Sequence, residues 1–341
     1  MPNPSNFSAR HADCALPRRR ASLLLGAALA LALPGAAAWA QATAWPAKPV
    51  KIVVNFPPGG AADQIARAIG TPLQEALGQP VVIENRGGAG GNLGGDVVAK
   101  SAADGYTLLM SSGGMVSVNP FIYEKMPFDP AKDLVPVAAT ARVLVFLVTR
   151  PDFPATDAKG FLAYVKANPG KLSFGSPGNG SSPHLATEMM KSQAGLVATH
   201  APYRGAAPAL TDLLGGQLDF LFDPGVAVPH IQAGKLKLLA VGSPTRSPLF
   251  PNVPTLAEAG LPGFDADTVF GLYAPAGTPP EIVARLNREV NKILTQQAPR
   301  DRILALGGEA APMTPEQFHQ RALTDAERFG KIIREQKIRG D

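Results

Sequence analysis

The chain has 341 residues, 45% of them hydrophobic and 17% charged, with 32 basic and 27 acidic side chains for a net charge of +5. Four of the arginines and one aspartate fall in residues 1–40, which leaves 28 basic against 26 acidic groups beyond them. That net +2 gives no footing for nucleic acid or a polybasic membrane surface. The one cysteine, Cys14, lies in the same leader, so residues 41–341 have no disulfide, thiolate nucleophile or Cys-ligated metal.

The leader reads as an export signal. Arg18, Arg19 and Arg20 form a basic start, residues 21–33 are unbroken small and apolar, Pro34 and Gly35 interrupt, and Ala38-Trp39-Ala40 fits a small-x-small cleavage site. An apolar core of 13 residues is too short to span a bilayer. Cleavage is expected after Ala40, or after Ala42, leaving a periplasmic protein with no membrane insertion, exported by the general or the twin-arginine route. About 300 residues remain, enough to bury a large core and usually divided into two domains.

Residues 50–54 hold Val50, Ile52, Val53 and Val54, a β-branched run that reads as a buried strand. Pro57-Pro58-Gly59-Gly60 turns the chain, and from Ala61 a helix follows with Ile65, Ile69, Leu73 and Leu77 on one face. Residues 80–84 and 106–110 read as further strands and 91–100 as a helix, a βαβ alternation that places ligand sites at the strands' carboxyl ends. The segments at those ends are residues 56–63, 85–95 and 111–119, the last containing Ser111 and Ser112.

Residues 143–149 read as one continuous apolar strand crossing into a second domain. There, helices are expected over 159–167, 183–194 and 206–214, and strands over 172–175, 197–203, 218–222 and 236–241. The chain returns near 268–274. A helix then starts after Pro279, with Ile282, Leu286, Val290 and Ile293 inward. A last helix follows Thr314, with Phe318, Leu323, Phe329 and Ile333 inward. The fold class is α/β, with lobe 1 from residues 41–145 and 270–341, lobe 2 from 146–269, and a cleft between them that closes about two hinge crossings.

Motifs for catalysis are missing. Residues 88–93 fail the dinucleotide fingerprint at Leu93, Gly234-Lys235 lacks the serine or threonine of a phosphate loop, and His184, His200, His230 and His319 have no metal-ligand spacing. No cofactor or metal is expected. Main-chain donors are the better candidates. The turn Pro58-Gly59-Gly60 delivers a helix start, where unpaired N–H groups and the helix dipole favour an anion. Residues 175–184 do the same with Gly178, Asn179 and Gly180, Ser181 or Ser182 as N-cap, and Pro183 in the first turn. In residues 200–208, Tyr203 and Gly205 flank Arg204, which either grips a carboxylate or pins its own loop. Asp223 ends a strand and either reaches the cavity, where it welcomes an amine, or caps the turn at Pro224-Gly225. Asp63 reads as an acid favoured by the helix dipole.

Further strings give a resemblance. Trp45-Pro46-x-Lys48-Pro49, Phe56-Pro57-Pro58-Gly59-Gly60-x-x-Asp63, Glu84-Asn85-Arg86 with Gly88-Ala89-Gly90-Gly91, and Asp104-Gly105-Tyr106-Thr107-Leu108-Leu109 appear in that order. Gly175-Ser176, Gly180-Ser181 with His184-Leu185-Ala186, Pro202-Tyr203-Arg204-Gly205, Asp212-Leu213-Leu214-Gly215-Gly216, Pro254-Thr255 with Glu258-Ala259-Gly260, and Ala274-Pro275-Ala276-Gly277-Thr278-Pro279 continue it. Together they resemble the Bug-type periplasmic receptors, the solute-binding components of tripartite tricarboxylate transporters, over the whole chain beyond the leader. The resemblance implies a two-lobed, type II binding-protein fold and a non-catalytic receptor for a small carboxylate. Its partners would be inner-membrane transporter subunits or a sensor kinase. It also implies ligand contacts at Pro58, Gly59, Gly60 and Asp63 on one lobe, and at residues 178–182 and 203–205 on the other. Two positions depart from the pattern: Gly87 stands where proline is usual, and Val269 where an aromatic is usual. A reading of another class remains, a secreted hydrolase or isomerase using Ser181, His184 and Asp223.

Overall fold

The computed structural model describes residues 45–340; the leader, with Cys14 and both cleavage sites, lies outside the described residues. β-Branched residues set strands β1 (Val50–Val54) and β2 (Val81–Asn85), with helix α1 (Ala61–Leu77) between them. Ile65, Ile69, Leu73 and Leu77 of α1 share a buried cluster with Val50, Ile52 and Val54, as their four-residue spacing requires. A 3-10 turn at Ala89–Gly91 leads into α2 (Asn92–Ala99), then β3 (Thr107–Ser112), the short helices α3 (Gly114–Ser117), α4 (Asn119–Ile122) and α5 (Pro130–Asp133), and the long strand β4 (Leu134–Val143).

The second lobe holds β5 (Phe146–Thr149), α6 (Ala158–Ala167), β6 (Ser173–Ser176), α7 (Ser182–Ala194), β7 (Thr199–Pro202), α8 (Ala206–Leu214), β8 (Phe220–Asp223), α9 (Val228–Gln232) and β9 (Lys237–Val241). The chain then returns through β10 (Thr268–Pro275), α10 (Pro280–Ile293), α11 (Gln297–Ala305), β11 (Gly308–Ala310) and α12 (Pro315–Gln336). One sheet has the order β11-β4-β10-β3-β1-β2 and the other β7-β6-β8-β5-β9.

Both sheets are mixed. β1 runs parallel to β2 and β3, and β6 parallel to β7 and β8, each with helices in the connections. The strands that carry the chain between lobes are antiparallel to their neighbours: β10 to β3 and β4, and β5 to β8 and β9. A strand arriving from the other lobe has no crossover helix to turn it round.

The structure departs from the sequence pattern at three points. The apolar run at residues 143–149 is not one strand. It breaks at Leu144 and Val145, where the chain leaves one sheet for the other, and hydrophobicity cannot mark the change because both residues are buried. β4 itself was unread, since Pro136 and a run of alanines mask it; Pro136 sits opposite Tyr273 beside a register shift, where a missing N–H is tolerated. In α12, Phe318, Phe329 and Ile333 are buried as expected, but Leu323 is 51% exposed. Five residues from Phe318 is well off the inward face, and Ala322 takes the inward place.

Among the described residues, the lobes pack together through apolar contacts at two places. Leu185 of α7 is buried in one cluster with Val118, Ile122 of α4, and Phe329, Ile332 and Ile333 of α12. Elsewhere Gly225, after β8, lies against Leu306 and Gly307, which in turn pack on Phe146.

Helix α12 also grips the second crossing. Arg328 donates through Nη1 to the carbonyl of Asp265 at 2.8 Å and through Nη2 to that of Asp267, and Arg321 also bonds the Asp267 carbonyl. Both guanidinium groups pair with the buried Asp325 carboxylate, at 2.9 Å from Arg328 Nη2 and 2.8 Å from Arg321 Nε. Burial pushes the Asp325 carboxyl above its ordinary range even with two cations beside it. Removing one cation leaves a buried acid half-compensated. Arg328→Ala is therefore expected to cost about 3 kcal/mol in urea unfolding. Arg328→Lys should recover little of it, since one ammonium cannot span two carbonyls and a carboxylate. A loss below about 1 kcal/mol would show that the clamp bears no stability.

Candidate functional site

On lobe 1 the site is built where β1 and β3 end. Pro57 to Gly60 turn the chain outward, with Pro58 and Gly59 exposed and Gly60 half-buried. Gly60 is the N-cap of α1 and no side chain caps it. The Gly59 amide is already engaged, donating to Asp63 Oδ2 at 2.9 Å, and the Gly60 amide makes a long 3.4 Å bond to the Pro57 carbonyl. The free donors here are thus those of the first helical turn from Ala61 onward, the helix start that the turn delivers.

Asp63 is buried and also pairs with Arg67, whose Nη2 lies 3.0 Å from Oδ1. Burial raises its carboxyl, but the hydrogen bonds from Arg67 and the Gly59 amide outweigh this and hold it below the usual range. It serves the turn.

Behind the turn lies Asn55, fully buried and unremarked in the sequence. Its Nδ2 donates to Ser111 Oγ at 2.9 Å and to the Gly91 carbonyl at 3.3 Å, while Oδ1 has no partner. Ser111 in turn donates its hydroxyl to the carbonyl of half-buried Ser112 at 2.9 Å. Asn119 repeats the pattern, donating to Asn92 Oδ1 at 2.7 Å and to the Gly90 carbonyl at 3.0 Å. The two asparagines tie the ends of β1 and β3 to the start of α2. A Cβ at Gly94 would lie 2.7 Å from Asn55 Cβ, so the approach needs glycine there. The signal was present, a lone asparagine closing an apolar strand. Gly87 packs against Pro57, and Val269 is buried in the core with Met115 and Phe318 rather than on a pocket wall.

On lobe 2 the loop after β6 is fastened from below. Ser176 Oγ lies 2.7 Å from His200 Nε2 and also bonds the Gly178 backbone. Ser181 is the N-cap of α7, yet its hydroxyl donates back to the Gly178 carbonyl at 2.7 Å rather than capping the helix. The Gly180 amide is taken by His184 Nδ1 at 3.1 Å. The open amides begin with Ser182, and half-buried Asn179 lies between the two fastened glycines. Gly180 packs directly on Val118 and Ile122 of the other lobe. The loop thus meets the segment that follows β3, and the carboxyl ends of the two sheets share one region.

Tyr203 and Gly205 bond through their amides to the carbonyls of Ser176 and Pro177, and Tyr203 donates its hydroxyl to Asp212 at 2.7 Å. Burial and the Asp212 carboxylate push that phenol up to about 12. Arg204 is exposed, and among the described residues it has no hydrogen-bond or ion-pair partner, so it does not pin its loop. The serine, histidine and aspartate of the hydrolase reading are not brought into a relay: Ser181 bonds Gly178, His184 bonds Gly180, and Asp223 bonds its own turn.

Comparison with known proteins accords with this geometry. The family described as "Tripartite tricarboxylate transporter family receptor" matches residues 65–338. The chain belongs to that receptor family. It is 41% identical over 308 residues to Protein BugT of Bordetella pertussis, covering 89% of this chain and 94% of that one. Among solved structures it is similar to R. palustris Rpa4515 with adipate, at 35% identity and a TM-score of 0.82, covering 86% of this chain and 99% of that one. It is similar as well to MatC from Rhodopseudomonas palustris with bound malate, at 35% identity and a TM-score of 0.77, covering 85% of this chain and all of that one.

One acid of this receptor stands apart. Asp223 is 1% exposed, and its Oδ1 accepts the amides of Gly225 and Ala227 at 2.7 Å each, so it does cap the following turn. Its buried Oδ2 has no partner, and the residue lies beside Ser176, Pro177, Ala206 and Leu221. Burial pushes the carboxyl up to about 6 against the two amide bonds. A raised carboxyl binds its proton more tightly in the folded chain, so its contribution to stability is largest below about pH 4 and is lost as pH rises towards 6. Asp223→Asn keeps an oxygen for both amides and removes the charge. The variant should gain on the order of 2 kcal/mol over wild type between pH 4 and pH 7, read as the difference of the two urea-unfolding curves. A difference that stays flat over that range would mean that Asp223 is not strained by its charge.

Proposed function

We propose that this receptor works in the periplasm, released from its leader by cleavage near Ala40, and closes lobe 2 (residues 146–269) against lobe 1 (residues 41–145 and 270–341) over a small carboxylate. The captured acid would pass to the membrane subunits of a tripartite tricarboxylate-type transporter or to a sensor kinase. The observation that carries this reading is the pair of uncapped helix starts, at Ala61 and Ser182, set on loops whose lobes meet where Gly180 packs against Val118 and Ile122. Each such start favours an anion by about 0.3–2 kcal/mol, and two of them in a cleft that excludes water hold a carboxylate without any paired side-chain cation. Adipate and malate in two related receptors belong to the same chemical class.

The proposed contacts are the turn at Pro58, Gly59 and Gly60 with the amides that follow it, Ser111 and Ser112 at the end of β3, residues 178–182, and residues 203–205. Arg204, exposed and without a partner among the described residues, would add a charge-assisted bond to the ligand. Asp63 and Asp223 hold the two turns from behind.

Titration calorimetry with succinate, malate, adipate, glutamate and benzoate, each against its neutral amide, tests the reading. At least one acid should bind at least about 30-fold more tightly than its amide, the ratio expected from about 2 kcal/mol of main-chain anion stabilisation. Acids and amides binding alike, or none binding at all, would overturn it.

A further inference from the structure

The two helix starts are fastened by the same device with a different charge. In each, the glycine just before the N-cap donates its amide to the side chain at the third helical position. Gly59 donates to Asp63 Oδ2 at 2.9 Å, and Gly180 donates to His184 Nδ1 at 3.1 Å. Lobe 1 therefore carries a carboxylate of its own beside the seat, offset by Arg67. Lobe 2 carries an imidazole.

The geometry fixes the state of that ring. An imidazole nitrogen that accepts an N–H bears no proton, so the ring hydrogen of His184 is on Nε2 and the side chain is neutral. Nε2 lies 3.7 Å from Glu188 Oε1, and the Glu188 carboxylate is held by Lys191 at 2.7 Å. The ring stacks on His200, with centroids 3.9 Å apart and planes 10° from parallel, and His200 in turn contacts Ser176 Oγ at the other end of the loop. Two stacked rings thus fasten both ends of residues 176–180 from beneath. Burial, with the charges of His200 and Lys191 nearby, pushes His184 down to about 3, which accords with a neutral ring throughout the working pH range.

We infer that His184 is a positioning residue of the carboxylate seat: it caps Gly180 as Asp63 caps Gly59, but with no charge, so the loop stays fastened while the lobe 2 helix start keeps its positive potential for the ligand. An acid here would fasten the loop equally well and would occupy electrostatically the place that the ligand carboxylate needs. The inference rests on the carboxylate reading above.

Three variants separate cap from charge. Asn places an oxygen where Nδ1 was and is neutral, Asp places the same oxygen with a charge, and Ala removes the acceptor. Hydrogen exchange at the Gly180 amide reads the cap without any ligand. Calorimetry with the tightest-binding acid of the panel and its amide reads the seat. His184→Asn should keep Gly180 protected and bind the acid within about threefold of wild type, a change below 1 kcal/mol. His184→Asp should keep Gly180 protected yet lose at least about tenfold in acid affinity, from a like charge near the seat, with little change for the amide. His184→Ala should lose the protection.

Unchanged acid affinity in His184→Asp, or a protected Gly180 in His184→Ala, overturns the inference. If the Asp variant does not fold, the Asn and Ala pair still decides the cap through exchange, and weak acid binding by the Asn variant overturns the role. Failure of the wild type to prefer acids over amides condemns the carboxylate reading instead, and the exchange result then stands on its own.

Discussion

The contact of Gly180 with Val118 and Ile122 sets the geometry on which the site depends. Gly180 has φ near +73°, and a Cβ there would collide with Ile122. Only a residue without a side chain can hold that backbone conformation and that closeness together. Leu185, one turn into α7, is buried beside it by α12, a lobe 1 helix that packs on lobe 2 at this edge. Packing of this density has discrete arrangements rather than a continuum, so the loop that presents the second helix start is placed relative to the first by shape and not by charge.

Much of the fold is legible in the residues because periodicity and punctuation agree. The run Val50–Val54, its proline and glycine turn and the four-residue spacing of α1 each point to the same βα unit, and the unit forms. Pro279 and Thr314 open α10 and α12 as expected, the second with a full capping box to Gln317. Legibility fails where a residue's environment changes without a change in its hydrophobicity. Leu144 and Val145 pass between sheets while remaining buried, and β4 hides behind Pro136 and small side chains.

The two helix starts stand where the sequence pattern puts them, and the structure adds how the turns before them are held. Glycines announce a close approach of backbone, and Gly59, Gly60 and Gly180 do turn the chain. Their amides, however, are largely used to hold the turn, by Asp63, by the Pro57 carbonyl and by His184. The amides left open begin one position further on, inside the helix. A lone asparagine closing an apolar strand marks Asn55, but what Asn55 and Asn119 bind could not be read from local pattern, because their partners lie 27 to 56 residues away along the chain. The same holds for Arg321 and Arg328, whose partners include the carbonyls of Asp265 and Asp267 more than fifty residues earlier.

The proposed seat of main-chain donors would also suit a cleft that opens and closes over its ligand. A buried arginine or lysine facing such a cleft would have to lose its hydration before the ligand arrived, at several kcal/mol, unless a carboxylate already held it. Elsewhere this chain treats buried charge in that way: Asp63 has Arg67, and Asp325 has Arg321 and Arg328. Amide dipoles at a helix start carry no net charge to desolvate and cannot be titrated away. They act on an anion most strongly once closure has removed the water around it. The neutral cap at His184 belongs to the same logic. It supplies an acceptor where the loop needs one and adds no charge that would have to be answered, which leaves the second helix start as open to an anion as its backbone makes it.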